Sequence, residues 1–212
     1  VDRTEPLYID GPQKFAEYIE KSRKVLDMYI NYPIIVKEIS APCVCYEGEG
    51  FRVRAFPLDH TKVCVGYTLE EDDRPGEFNA EEAARLKVPR GPLWGKLQHG
   101  ISVVNEDGVE IHSHQVVGKN RKGRKFSFVT DTLYLPTIAQ EVKDSDLLIC
   151  EGMFADDCED QAKEKKHMTA RQAATIARDS DSLRMAMIHY SPRYTDKELP
   201  ILLEEAKKRD HR

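Results

Sequence analysis

This chain has no apolar stretch longer than a few residues, far short of the roughly 20 that a membrane-spanning helix needs, so no membrane partner is expected. It has no basic-then-apolar leader, which argues against secretion. It opens Val1-Asp-Arg rather than with Met, so its first residue is read as an internal one. Cysteine is sparse: five residues, an odd number in no CxxC pattern, which fits thiols in a reducing cytoplasm better than a disulfide frame. An excess of positive charge is also missing. The formal net charge of -5 excludes a general nucleic-acid coat but leaves room for a local basic patch. Repeats and low-complexity tracts are absent. What is present is 212 residues, 40% of them hydrophobic and 33% charged, enough for one large domain or a domain with an appendage.

Three apolar runs in the second half each end on a residue that can hold a metal or move a proton. Lys125-Phe-Ser-Phe-Val-Thr-Asp131 ends on Asp131, Asp146-Leu-Leu-Ile-Cys-Glu151 on Glu151, and Leu183-Arg-Met-Ala-Met-Ile-His189 on His189. Short apolar runs separated by helical stretches read as strands of a layered α/β fold. Polar groups at the carboxyl ends of such strands converge on one rim, where sites in layered sheets gather.

Around these runs, residues 12–30 read as an amphipathic helix with Phe15, Ile19, Val25 and Met28 at helical spacing. Strands follow at Ile34–Ile39, at Phe51–Phe56 in strict alternation and at Val63–Thr68. Residues 70–101 are charged and broken by Pro75-Gly76, Pro89 and Gly91-Pro92, with a short helix at about 79–87, and read as an insertion with its own small structure. A strand at about 110–117, a basic turn and the strand to Asp131 return the chain to the sheet. Helices are predicted at about 134–143, 155–166, 168–179 and 196–210.

Each candidate also has a plainer reading. His60 could be a packed or solvent-facing turn residue between two strands. Asp131 could cap the helix expected near Tyr134, His167 could decorate a helix N-terminus, and His189 could be a satisfied core histidine. Cys150 reads as a small buried apolar residue. The basic run Gly118-Lys-Asn-Arg-Lys-Gly-Arg-Lys125 reads as a solvated hairpin or as a phosphate contact.

Taken in order, the motifs resemble ribonuclease Z, the tRNA 3′-processing endonucleases of the metallo-β-lactamase superfamily. The resemblance runs through Arg3-Thr-Glu-Pro-Leu7 with Gly11-Pro12, Leu58-Asp-His60 with Gly66-Tyr67, Asp131-Thr132 and His189-Tyr-Ser-Pro-Arg-Tyr194. Asp72-Asp-Arg-Pro-Gly76 and Gly91-Pro-Leu-Trp-Gly-Lys-Leu97 resemble the family's flexible arm, which grips the tRNA elbow. The resemblance implies the C-terminal part of an αββα metallo-β-lactamase sandwich, with an inserted exosite arm at residues 70–101. It implies two zincs per full-length subunit, with His60 on the first, Asp131 bridging and His189 on the second, donor types that suit Zn²⁺. His167 and Glu151 would be the proton-handling pair, and Arg193 a phosphate contact. In the arm, Leu93, Trp94 and Leu97 would form a local core while Arg85, Arg90 and Lys96 face RNA. The implied function is removal of 3′ trailers from precursor tRNA by a homodimer. The rivals are a non-catalytic tRNA-binding member, and a hydrolase of small phosphodiesters or thioesters.

The superfamily's His-x-His-x-Asp-His motif is absent from the chain and is expected upstream of Val1. His112-Ser-His114, the lone His-x-His here, lacks the acidic residue in register and is read as one face of a strand. Two donors then remain for each metal, below the three usual for a catalytic zinc. This stretch alone is therefore expected to be inactive, with an uncovered apolar face and a tendency to associate. Cys150-Glu-Gly-Met153 also departs from the family's usual His-Glu-Ala-Thr, which leaves the orientation of Glu151 open.

Overall fold

The computed structural model describes residues 3–208. In chain order its strands are β1 (Leu7–Pro12), β2 (Ile34–Ile39), β3 (Cys43–Gly48), β4 (Phe51–Leu58), β5 (Cys64–Glu71), β6 (Val103–Val104), β7 (Glu110–Ile111), β8 (Lys125–Val129), β9 (Leu147–Glu151) and β10 (Met185–Ile188). Its helices are α1 (Phe15–Val25), α2 (Ala80–Arg85), α3 (Pro92–Gln98), α4 (Ile138–Glu141), α5 (Glu159–Lys165), α6 (Ala170–Asp179) and α7 (Leu199–Lys207). The chain divides into two compact units, one of Val1–Glu70 with Arg124–Arg212, the other of Glu71–Gly123.

In the first unit six strands form a sheet in the order β10-β9-β8-β5-β4-β3. The strands β8, β9 and β10 run parallel, as a layered α/β fold requires, while β5 meets β8 antiparallel and β3 meets β4 antiparallel. The run Leu147–Cys150 is apolar throughout because β9 lies inside the sheet between two parallel neighbours. The period of two shows at β4, where Ala55 and Phe56 are both buried but join different cores. Phe56 packs with Val129, Leu148, Ile138 and Ile176 beneath α4 and α6, and Ala55 packs with Ile39 and Val65 against β2. The sheet therefore carries helices on one face and the parallel pair β1-β2 on the other, and this is the layered metallo-β-lactamase arrangement expected from the sequence. On β1-β2, Tyr8 and Ile35 are register partners and both are exposed.

The second unit is longer than the expected 70–101. Val103, Ile111 and Val116 complete a core with Ala83, Val88 and Leu97, so the segment up to Gly123 belongs to it. Leu93 and Trp94 pack on that core, and the Trp94 indole N–H donates to the Val88 carbonyl at 3.0 Å. Two crossings, Arg74 with Arg121 and Phe78 with Val117, bring its entering and leaving segments together.

Several elements are shorter than their patterns suggested. The helix read over 134–143 forms only at Ile138–Glu141, since Pro136 disfavours helix at the residue before it. The strand read over 110–117 stops at Ile111. A 3₁₀ turn, Ser113–Gln115, replaces it, with the Gln115 side chain accepting from the His112 N–H at 2.7 Å and the Ser113 hydroxyl donating to the Leu97 carbonyl at 2.6 Å. His112 thus caps this turn and His114 lies within it, so the two do not share a strand face. β3 lies outside the strands expected from the sequence, and a bulge between Val44 and Tyr46 interrupts its register with β4. The helix read over 196–210 is Leu199–Lys207, and residues 209–210 lie outside the described residues.

Candidate metal centre

Four turns at one end of the six-stranded sheet bring the candidate residues together. Asp131 follows β8, Glu151 closes β9, His189 follows β10, and His60 follows β4. His60 Nε2 lies 3.9 Å from Asp131 Oδ2, and His189 Nδ1 lies 3.6 Å from Asp131 Oδ1. The Asp131 carboxylate therefore stands between two imidazoles, one at each oxygen. The helix-cap reading of Asp131 fails, since α4 begins seven residues later and has Thr137 at its cap. His189 is not a core histidine either, because its side chain is 39% exposed and faces Asp131. Its backbone is left-handed (φ 61°), which turns the chain sharply where the strand ends.

His60 is fixed from behind. Its Nδ1 lies 2.8 Å from the Lys166 carbonyl oxygen, which can only accept, so Nδ1 carries the proton and the Nε2 lone pair faces Asp131. Lys166 is itself left-handed (φ 55°, ψ 53°), and its ammonium donates to Asp59 Oδ1 at 2.6 Å, next to His60 in the chain. The Asp59 carbonyl in turn accepts from the Leu133 N–H at 2.7 Å, which ties the His60 turn to the Asp131 turn.

Glu151 is fully buried with four donors around it. The N–H groups of Thr132 (2.8 Å), Met168 (3.2 Å) and Met153 (3.3 Å) point at its carboxylate, and His167 Nδ1 lies 2.9 Å from Oε1. Burial pushes its carboxyl up to about 7, against the pull of the Thr132 and Met168 N–H groups. Burial, and then the neighbouring His60, hold the His167 imidazole below its ordinary value. The His167 ring centroid is 4.6 Å from that of His60 and 5.1 Å from that of His189. With Gly152 and Met153 as neighbours in place of the usual residues, Glu151 is oriented mainly by backbone amides. Cys150 lies buried in the helix-side core, where burial raises its thiol.

The donor chemistry fits a metal. Two groups, His60 with Asp131 and His167, and Glu151 with His167 and His189, each hold their ligand atoms within 4.8 Å of one another. Two ligands of one zinc, at about 2.0–2.2 Å each, stand no more than about 4.3 Å apart, and both His–Asp131 distances meet that limit. His167 belongs to both groups, a position that periodicity could not reveal because it depends on where α6 starts. The Thr169 cap sets that start: its hydroxyl accepts from the Gln172 N–H while the Gln172 side chain accepts from the Thr169 N–H.

The other sequence candidates lie elsewhere. Arg193 reaches Gln161 Oε1 (2.6 Å) and Cys158 Sγ (3.1 Å) and covers the Phe154 ring. In the second unit Arg85 forks onto Glu82, Arg90 lies over Trp94, and Lys96 is exposed on α3. That unit also has a cavity of about 780 Å³ lined by His99, His112, His114 and Asp73, which residue spacing did not suggest.

Residues 106–190 match the beta-lactamase superfamily domain. The chain is 65% identical to ribonuclease Z of Treponema denticola, over 98% of this chain and 67% of that protein. The ribonuclease Z of Treponema pallidum is 60% identical over the same shares. This chain belongs to the ribonuclease Z family. It spans about two thirds of the length of these relatives. Among solved structures it is similar to human tRNase Z, short form (TM-score 0.58, 20% identity, 89% of this chain and 61% of that one). It is also similar to the metallo-β-lactamase fold protein YhfI of Bacillus subtilis (TM-score 0.57, 16% identity, 96% and 58%). At those identities the likeness bears on fold, and it agrees with the layers described above.

Proposed function

We propose that this ribonuclease Z family chain is the catalytic part of a zinc-dependent endoribonuclease that removes 3′ trailers from precursor tRNA. The observation that carries this reading is Asp131 standing between His60 and His189 at 3.9 and 3.6 Å, a shared carboxylate flanked by two imidazoles. In this reading His60 holds one zinc, His189 the other, and Asp131 both. The zinc pair, when bound, supplies positive charge that activates a water and offsets the negative charge gathering on the phosphate. Glu151 accepts from His167 Nδ1–H and keeps the imidazole in one orientation, so that its other nitrogen, once the ring has taken up a second proton, hands that proton to the departing ribose oxygen. Arg193 contacts phosphate once its guanidinium leaves Gln161. Residues 70–101, all but Glu70 in the second unit, grip the tRNA, with Lys96, Arg90 and Arg85 on the RNA backbone. The exposed apolar residues of β1-β2 and α1 support a homodimer, and the five free thiols support a reducing, cytoplasmic setting. With two imidazoles and one shared carboxylate besides His167, this stretch by itself would hold zinc weakly and be inactive.

The test is cleavage of a precursor tRNA by the full encoded protein, with and without Asp131→Ala. A product ending at the mature 3′ side, lost in the variant along with zinc, supports the reading. Hydrolysis of bis(p-nitrophenyl) phosphate with an untouched precursor tRNA would instead identify a small-phosphodiester hydrolase. Deleting residues 71–123 should weaken tRNA binding more than hydrolysis of the small probe.

A further inference from the structure

Beside His167 lies a cavity of about 200 Å³, walled by Leu133, Tyr134, Glu159, Lys163 and Gln172. It is smaller than the roughly 300–1,000 Å³ of pockets for drug-sized ligands, and suits one planar ring with part of its sugar. Its walls are held rather than loose. Tyr134 packs on the helix-side core, and Leu133 is pinned by its N–H to the Asp59 carbonyl, next to His60. The Gln172 carboxamide is fixed at both ends, accepting from the Thr169 N–H at 3.0 Å and donating to Glu159 Oε1 at 3.1 Å. One amide hydrogen and one carbonyl lone pair remain for a ligand. Glu159 therefore binds Gln172, and the exposed Lys163, one turn further along α5, stands at the rim.

We propose that this cavity is a subsite for one unpaired RNA nucleotide beside the bond being cut. The identity of the ligand rests on the nuclease reading above. The base stacks on the Tyr134 ring, its edge meets the Gln172 amide, and Lys163 faces its phosphate. Stacking on an aromatic ring accepts any base, so the subsite orients the strand at His167 without reading its sequence. A bare anion site fits less well, because the Glu159 carboxylate lines the same cavity.

The test titrates the full encoded protein with uridine 5′-monophosphate, adenosine 5′-monophosphate and ribose 5-phosphate, following the Tyr134 ring resonances by NMR in the parent and measuring affinity by isothermal titration calorimetry in the parent and every variant. Both nucleotides should shift them saturably, and ribose 5-phosphate should bind at least roughly tenfold more weakly. Tyr134→Ala should bind the nucleotides about 5- to 150-fold more weakly, the range of a lost base–aromatic stack. Tyr134→Phe should stay near the parent, which separates lost stacking from lost folding. Lys163→Ala should weaken uridine 5′-monophosphate but not uridine. Tyr134→Ala binding like the parent, or ribose 5-phosphate binding as tightly as the nucleotides, overturns the proposal. Nucleotide binding at Tyr134 in a protein that leaves precursor tRNA intact keeps the subsite and removes the nuclease reading. Cleavage of precursor tRNA with no nucleotide-dependent shift at Tyr134 removes the subsite alone.

Discussion

Asp131 and Glu151 sit 20 positions apart at the ends of neighbouring parallel strands, and their surroundings give them opposite characters. Asp131 is partly exposed with an imidazole at each oxygen, whereas Glu151 is enclosed by amide donors. Asp131→Ala removes a donor from both imidazole pairs, so zinc affinity should fall further than in His60→Ala or His189→Ala. Chelator competition measures that ranking, and an Asp131→Ala loss no larger than either single histidine loss would contradict a shared ligand. Glu151→Gln keeps the shape but points an NH₂ group at backbone N–H donors. It should cost about 1–3 kcal/mol of stability, read by urea unfolding, because at least one buried donor loses its acceptor.

At the scale of elements, two glycines and one carboxylate do more than their local patterns suggest. Pro75-Gly76 looks like turn punctuation, but a Cβ at Gly76 would stand 2.1 Å from the Gly118 carbonyl oxygen. A Cβ at Gly123 would stand 2.0 Å from the Glu71 carbonyl oxygen. Both glycines permit the close passage of the entering and leaving segments of the second unit. Gly76→Ala and Gly123→Ala should each destabilise that unit by about 1–3 kcal/mol. Hydrogen exchange should show faster opening within residues 71–123 and little change at β8, β9 and β10. Glu70 on β5 joins three strands, accepting from Arg52 on β4 at 2.7 Å and pairing with Lys125 on β8 at 2.9 Å. Burial pushes its carboxyl up, but the Lys125 and Arg52 contacts together outweigh that and hold it below the ordinary value. A depressed carboxyl stabilises the fold above its unfolded value, and that gain is lost as pH falls through the folded one. Glu70→Gln should therefore cost about 1–2 kcal/mol at neutral pH, and the gap to the parent should close below about pH 4 in chemical denaturation.

For the molecule as a whole, the apolar side chains exposed on β1-β2 and around the end of α1 bear on behaviour in solution. Val25 is 80% and Tyr29 91% exposed, and Tyr8 and Ile35 lie exposed side by side. Apolar side chains left open to solvent favour association when they form a contiguous patch. Sedimentation velocity of the 212-residue chain should show concentration-dependent association, and Leu26→Glu with Tyr29→Glu should shift it towards monomer. A parent chain that stays monomeric at high concentration would show that these side chains do not drive contact. The division into two units has a related cause, since the second has a core of its own around Leu97, Val103 and Ile111.

By itself the sequence determined the strands that run to Asp131, Glu151 and His189, because short, largely apolar runs that stop on a polar residue mark strands whose ends reach the rim. It also determined the layered α/β class and the presence of an insertion. Only the tertiary structure decided that the insertion runs to Gly123, because the residues that close its core lie beyond the last punctuating glycine. The same holds for His167 against Glu151 and for the Lys166 carbonyl behind His60. These contacts join residues 16 and 106 positions apart. No local period encodes them; the packing of α5 and α6 on the sheet brings them within hydrogen-bond reach.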